Sequence, residues 1–290
     1  MTELLAPSLL AALERLQLRN TTRLVGSISG GHRSRRFGSS LDFADYREYQ
    51  PGDDLRRIDL FAAARLDRLL IRLFEAEDDI VVRILLDTSA SMAGPKIERA
   101  RQVAGAIGFL ALRNRDVVEL HTITSENQQQ FTGRRFAGPS ALPALFRELT
   151  GLTSGGTTPF ATAVKHLLEK GGTPGLTVVV SDLFTSEWEA GIRRLPVRGS
   201  ELMVLHIIDP TDYRPTIYGD LELVDRETGE RLEVSISAKV IADYAARAEA
   251  WREQLASRVR AVGGTYVCCD QTQPLDDFLF GKLLATGAMK

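Results

Sequence analysis

Ile80-Val81-Val82-Arg83-Ile84-Leu85-Leu86-Asp87-Thr88-Ser89-Ala90-Ser91 is the stretch on which the fold turns. Apart from Arg83, its first seven residues are apolar and largely β-branched, the pattern of a central strand buried on both faces. At Asp87 the run breaks into small hydroxyl residues. Such a stretch reads as a parallel strand of an α/β sheet with a polar loop at its carboxyl end. Open sheets of that class bind ligands in the crevice outside the carboxyl ends of their strands.

Working outward, the pattern repeats. Lys96–Arg113 carries a helical periodicity, Asp116–Thr124 is strand-like, and Gln128–Phe136 is placed to pair back on it across Ser125–Asn127. Pro139–Leu149 and Thr158–Glu169 read as helices, and Leu176–Asp182 as a second buried strand. Glu187–Leu195 is a short helix, Glu201–Asp209 a strand, Lys239–Val262 a long helix, Thr265–Cys269 a last strand and Pro274–Leu284 a closing helix. Between them Leu221–Val234 alternates apolar and polar residues around Glu-Thr-Gly-Glu, a β-hairpin signature. Strands alternating with helices predict an α/β fold, a doubly wound, mostly parallel sheet with helices on both faces and right-handed crossovers.

Upstream the character changes. Residues 3–18 have apolar positions at helical spacing, Asn20 to about Asp54 is punctuated by Gly and Pro, and Ala62–Leu73 fits a short helix or a strand. The expected organisation is an N-terminal helix with a small β-rich or irregular embellishment over 1–78. An α/β domain over 79–290 follows, with a β-hairpin insert at about 215–238.

Composition removes several function classes. The chain has 290 residues, 36 Lys+Arg against 38 Asp+Glu, and 44% hydrophobic residues, which excludes disordered, collagen-like and coiled-coil chains. A net charge of −2 offers no bulk attraction to nucleic acid or anionic lipid. Leu4–Leu13 and Ile80–Leu86 fall short of the roughly 20 apolar residues a spanning helix needs. No basic n-region with a small-residue cleavage site opens the chain, so the expectation is a cytoplasmic protein without a membrane span. Cys268 and Cys269, the two cysteines, are adjacent and form no disulfide framework; a vicinal disulfide would be strained, and they read as small buried hydrophobes. The four His show no zinc-site spacing, and His121 and His206 lie within apolar strands.

Three oxygen-rich segments fall at strand ends or before helices: Asp87 with Ser89 and Ser91, then Gly155-Gly156-Thr157-Thr158, then Ser181-Asp182. On a doubly wound sheet they converge on one rim. These residue types suit a hard cation such as Mg²⁺, which takes oxygen ligands in near-octahedral geometry at roughly 2.0–2.1 Å. With only two carboxylates, a metal there stays electrophilic and favours a further carboxylate from outside. Ser and Asp are also common helix N-caps after strands, which is the plain alternative.

Asp87, Ser89 and Ser91 as D-x-S-x-S, Thr157 after Gly-Gly, and the strand-end Asp182 together resemble the metal-ion-dependent adhesion site of von Willebrand factor type A domains. Arg47-Glu48-Tyr49-Gln50-Pro51-Gly52-Asp53-Asp54-Leu55-Arg56-Arg57-Ile58-Asp59-Leu60, then Ala64-Arg65, and the Asp225–Glu230 turn resemble the bacterial family catalogued as domain of unknown function fifty-eight. The resemblance implies a von Willebrand factor A-like fold and a site of Asp87, Ser89, Ser91, Thr157 and Asp182 holding Mg²⁺, Mn²⁺ or Ca²⁺. It also implies a protein partner that donates Asp or Glu to the metal, and association with a MoxR-type AAA+ ATPase as a non-enzymatic adaptor. The chain departs from the family's pattern in having Leu60 where many members carry Trp, and the N-terminal membrane helices that many members carry are not expected in it.

The competing reading is a metal-dependent phosphoester hydrolase using Asp87. Such enzymes commonly carry a second acid two residues on, where this chain has Ser89, and Lys96, the nearest lysine in sequence, falls on a helix. No phosphate loop or dinucleotide fingerprint is present. Pro51-Gly52 suits a type II turn, and the acids and arginines from Arg47 to Arg65 suit an ion-pair network, either a rigid buckle or a docking surface. The acid-free run Arg15–Arg36 reads as a solvated or acid-paired loop, with phosphate contact as the alternative.

Overall fold

The structure, a computed structural model, describes residues 4–16, 43–50, 53–55, 58–74, 80–124, 133–171, 175–196 and 200–287. The chain divides into two units, one joining Met1–Arg23 to Ile80–Lys290 and the other made of Leu24–Asp79. Helix α1 (Pro7–Leu13) is therefore grouped with the α/β unit and not with the embellishment. The cause is apolar: Leu5, Leu9 and Leu13 are buried in the same cluster as the sheet.

In the smaller unit, β1 (Phe43–Glu48) pairs antiparallel with β2 (Leu70–Phe74), and α2 (Leu60–Leu66) precedes β2. Ala62–Leu73 thus divides into the end of a helix and most of a strand. Asp59 starts α2 by accepting from the amides of Phe61 and Ala62 at 3.0 and 3.1 Å, satisfying two of the helix's free donors. Its other oxygen accepts from the Tyr46 hydroxyl at 2.7 Å, and Asp53 pairs with Arg47 at 2.8 Å. Pro51-Gly52, Arg56, Arg57 and the Arg19–Arg36 part of the basic run lie outside the described residues, as do 125–132.

The larger unit continues as β3 (Val81–Asp87), α3 (Pro95–Arg113), β4 (Val117–Ile123), β5 (Arg134–Ala137), α4 (Leu142–Gly151), α5 (Phe160–Glu169) and β6 (Gly175–Ser181). Then come α6 (Trp188–Ile192), β7 (Glu201–Ile208), α7 (Pro210–Tyr213), β8 (Gly219–Val224), β9 (Arg231–Ile236), α8 (Ala238–Ala261) and β10 (Thr265–Asp270), with a π-helical segment at Asp277–Leu283. Six strands form one sheet in the order β10-β7-β6-β3-β4-β5, parallel throughout except for β5, which pairs antiparallel with β4. β8 and β9 pair with each other as a separate two-stranded ribbon.

Period-two alternation sorts the strand residues between two faces. Val82, Ile84 and Leu86 of β3, Val178 and Val180 of β6, and Met203, Leu205 and Ile207 of β7 pack with α1, α3, α4 and the closing helix. Leu85, Val179, Leu202 and Val204 point the other way and pack with Phe160 of α5, Ile192 of α6, and Leu255 and Val259 of α8. Helices thus cover both faces, and each fully buried Leu, Ile or Val contributes roughly 1.5–3 kcal/mol of transfer free energy. The chain runs from β3 to β4 and β5 on one side, then returns to place β6 on the other side of β3. The order therefore reverses between β3 and β6, where open sheets have a crevice at the strands' carboxyl ends.

Among the described residues no helix is long and apolar enough to cross a membrane. Cys268 and Cys269 are free thiols, the second fully buried.

Candidate functional site

Asp87 ends β3 beside that reversal and is fully buried. One of its carboxylate oxygens accepts the Ser89 amide at 2.9 Å, an Asx-type turn that starts the short 3₁₀ turn Ala90–Met92. The other accepts the hydroxyl of Ser181, the last residue of β6. The turn brings the Ser89 and Ser91 hydroxyls to 2.9 Å, and the Ser91 hydroxyl donates to Oδ1 of Asp182 at 3.3 Å. Asp87, Ser89, Ser91 and Asp182 are thus linked in one hydrogen-bonded chain across β3 and β6.

Asp182 is held from its own strand as well. Oδ1 accepts the Phe184 amide at 3.2 Å, and the Ser181 hydroxyl accepts the Leu183 amide at 2.8 Å. Between them the buried Leu183 adopts φ 54°, a left-handed conformation that costs a side-chain-bearing residue roughly 1–2 kcal/mol. Backbone strain of this kind, next to a buried carboxylate at a strand end, is characteristic of functional turns.

The third segment is stitched on by main-chain bonds. The Ala90 amide donates to the Gly156 carbonyl at 3.0 Å, the Gly155 amide donates to the Thr88 carbonyl at 2.8 Å, and the Thr124 hydroxyl donates to the Gly155 carbonyl at 3.0 Å. Gly156 has φ 70°, which a residue without Cβ adopts freely. The half-buried Thr157 follows directly, so its loop lies against the Asp87–Ser91 turn.

Sequence reasoning missed four contributors. Lys96, set aside as a helical residue, reaches back from the first turn of α3 and donates at 2.8 Å to Oδ2 of both Asp182 and Asp212. Its side chain is 8% exposed and its ammonium lies 5.3 Å from the centre of the Phe184 ring. Burial pulls the lysine pKa down, but the two carboxylates outweigh it and leave it above its ordinary value. Asp212 arrives on α7, whose N-cap is Asp209. His206, fully buried on β7, places Nε2 3.0 Å from the Asp182 carbonyl and Nδ1 2.7 Å from the Tyr266 hydroxyl. Burial lowers its pKa to about 4, so the imidazole is neutral near pH 7. Glu227, on the β8–β9 turn, accepts from the Thr158 hydroxyl at 3.1 Å and the Thr158 amide at 3.3 Å. Position in the chain offers no signal for these contacts, apart from the placement of Lys96 just after the D-x-S-x-S turn.

Burial raises the Asp87 carboxyl to about 7, the nearby Asp182 charge adds to the rise, and hydrogen bonds from Ser181 and Ser89 resist it. A carboxylate in that condition gains from a cation that would neutralise it. Among the described residues no group of three or more His, Cys, Asp or Glu is placed to hold a metal. The converging donors here are hydroxyls plus two carboxylates, a hard-oxygen set of the kind Mg²⁺ accepts. Those residues fit such an ion, Asp182 through Oδ1, since Lys96 occupies Oδ2.

Known proteins place the chain as follows. It is 28% identical over 274 residues to the uncharacterized protein Rv1480 of Mycobacterium tuberculosis, covering 89% of this chain and 83% of that one, and equally to Mb1516 of Mycobacterium bovis. Among solved structures, BatB from Bacteroides thetaiotaomicron aligns with a TM-score of 0.42 and 18% identity, covering 66% of this chain and 90% of that one. An aerotolerance-related membrane protein from Bacteroides fragilis aligns with a TM-score of 0.39 and 16% identity, covering 66% and 92%. The family described as protein of unknown function DUF58 matches residues 45–254, most of the chain, and the protein belongs to that family.

Proposed function

We propose that this chain is a non-enzymatic, divalent-cation-dependent protein-interaction module with a von Willebrand factor A-like fold. Asp87, Ser89, Ser91, Thr157 and Asp182 hold Mg²⁺, or Mn²⁺ or Ca²⁺ in its place, and a protein partner completes the coordination with an Asp or Glu. The observation that carries this reading is the hydrogen-bonded chain from Asp87 through Ser89 and Ser91 to Asp182, with the Gly155–Thr157 loop bonded against it. All of it stands at the reversal of strand order. Both Asp87 oxygens are engaged by the protein itself, which suits a rigid cradle better than a nucleophile. The partner class is a MoxR-type AAA+ ATPase in the cytoplasm, for which the chain serves as an adaptor; this part rests on the family resemblance.

Titration calorimetry with Mg²⁺ and Mn²⁺ tests the metal. Wild type binds and Asp87→Ala does not, and the pull-down of a partner is lost both with chelator and with that variant. Absence of divalent binding to the folded wild-type protein overturns the reading. One observation favours a second reading: the Lys96 ammonium stands within the site, where a phosphoester hydrolase would use a cation against phosphate. Turnover of phosphate esters with Mg²⁺, abolished by Asp87→Asn, would establish that reading instead.

A further inference from the structure

Among the described residues the β8–β9 ribbon shares no strand pairing with the six-stranded sheet, yet its turn is anchored on the loop that carries Thr157. Asp225 builds the turn, accepting from the amides of Glu227 and Thr228 at 2.7 and 2.9 Å, and this aims the Glu227 carboxylate. Both of that carboxylate's oxygens are spent on Thr158, whose side chain and amide it fixes together. Thr158 is 5% exposed, and its amide belongs to the same peptide group as the Thr157 carbonyl. The charge-assisted bonds therefore set the backbone of the residue proposed above to supply a metal-binding hydroxyl.

We propose that Glu227 is a positioning residue for the cation site: it locks the Thr157–Thr158 peptide so that the Thr157 hydroxyl faces the Ser89–Ser91 pair, and it makes the ribbon report on whether the site is filled. The inference rests on the metal-binding reading above and extends it to the hairpin. Groups that orient a metal ligand from behind typically cost about 10–100-fold in metal affinity when removed. Coupling between two sites is reciprocal, so a cation that gains from the lock must also tighten it. A partner that lifts the ribbon would loosen the metal, and one that presses it down would hold the metal in place.

The test uses the full chain and Mn²⁺. Calorimetry of wild type against Glu227→Ala is expected to show affinity weakened by about tenfold, with Glu227→Gln, which keeps an acceptor, in between. The ribbon is read by trypsin cutting after the exposed Arg226, followed as the 227–290 fragment by mass spectrometry. Saturating Mn²⁺ slows that cut in wild type, by up to the same factor, and leaves it unchanged in Glu227→Ala. A purely structural turn would show faster cutting in the variant but the same Mn²⁺ affinity. If wild type binds Mn²⁺ and Glu227→Ala binds it equally well, the positioning role is overturned alone. If the protection of Arg226 by Mn²⁺ persists in Glu227→Ala, the coupling is overturned. If wild type binds no Mn²⁺, the metal-binding reading falls, and the positioning role with it.

Discussion

Replacing Lys96 with Met is the sharpest perturbation of the site that leaves every proposed metal ligand in place. Methionine keeps most of the apolar stem and removes the ammonium, so packing changes little. What remains is Asp182, 1% exposed, with Oδ1 still bonded to Ser91 and Phe184 but Oδ2 stripped of the donor at 2.8 Å. Removing one partner of a buried ion pair costs roughly 3–5 kcal/mol, because the other charge is left uncompensated. Asp212 is 33% exposed and can recover water, so its share is small. The expected loss is therefore near the lower end, about 3 kcal/mol. Urea unfolding followed by tryptophan fluorescence measures it, since Trp188 and Trp251 both lie in the α/β unit and Trp251 stacks on Phe184. Adding Asp182→Asn to Lys96→Met removes the stranded charge, so the double variant should be more stable than the sum of the two single losses implies. A loss under about 1 kcal/mol for Lys96→Met, or strict additivity in the cycle, would refute the view that this ammonium is the counter-charge holding Asp182 in the site.

His206 gives a pH test. Its folded pKa of about 4 lies below the ordinary 6.5, so the unfolded chain takes up the proton first and stability is lost as pH falls from about 6.5 towards 4. That loss is about 3 kcal/mol at about 1.4 kcal/mol per pH unit. Asp87, raised to about 7, acts in the opposite sense, so the quantity to read is the difference in urea stability between wild type and His206→Gln across pH 7 to 4. Equal pH slopes for the two proteins would contradict the assignment. Gly191→Ala should lower stability by about 1–3 kcal/mol, because a Cβ there would lie 2.4 Å from the fully buried Phe160 ring at the start of α5. A thermal melt of that variant unchanged from wild type would mean that the contact relaxes freely.

Much of this arrangement is legible in the chain, and the reason is local. The run Val81–Leu86 reads as a strand buried on both faces because its apolar side chains alternate. The structure sends Val82, Ile84 and Leu86 into one layer and Leu85 into the other, with the buried Arg83 paired to Glu119. The hairpin reads from alternation about Glu-Thr-Gly-Glu, and the strands pair Leu221 with Val234 and Leu223 with Leu232 across it. The strand-end oxygens read because chemistry and position coincide at Asp87 and Asp182. What stays hidden is contact at long separation. Lys96 meets Asp182 and Asp212 across 86 and 116 residues, and Glu227 meets Thr158 across 69. Helical periodicity places Lys96 on α3 but says nothing of where a four-carbon stem delivers its charge. The same limit applied to α1, whose apolar stripe is plain in sequence while the layer it joins is not.

Those hidden contacts alter the electrostatic argument for a partner. From sequence the site has two carboxylates, Asp87 and Asp182, against a dication. With Lys96 bonded to Asp182, one of those negative charges is already answered by the protein, and the nearby Asp212 shares the same ammonium. Asp212 brings a charge of its own, but it is 33% exposed and hydrated, so on the proposed function a bound dication still meets less compensating charge than the carboxylates alone suggest. It stays more electrophilic, and a carboxylate from outside becomes a larger part of its neutralisation. Lys96→Met removes that internal answer, so the variant should bind Mg²⁺ more tightly while depending less on a partner's Asp or Glu. Calorimetry of Mg²⁺ with and without a carboxylate-bearing partner would show the two effects moving in opposite directions. A parallel loss of both in a folded Lys96→Met protein would mean that Lys96 builds the cradle and does not tune its charge.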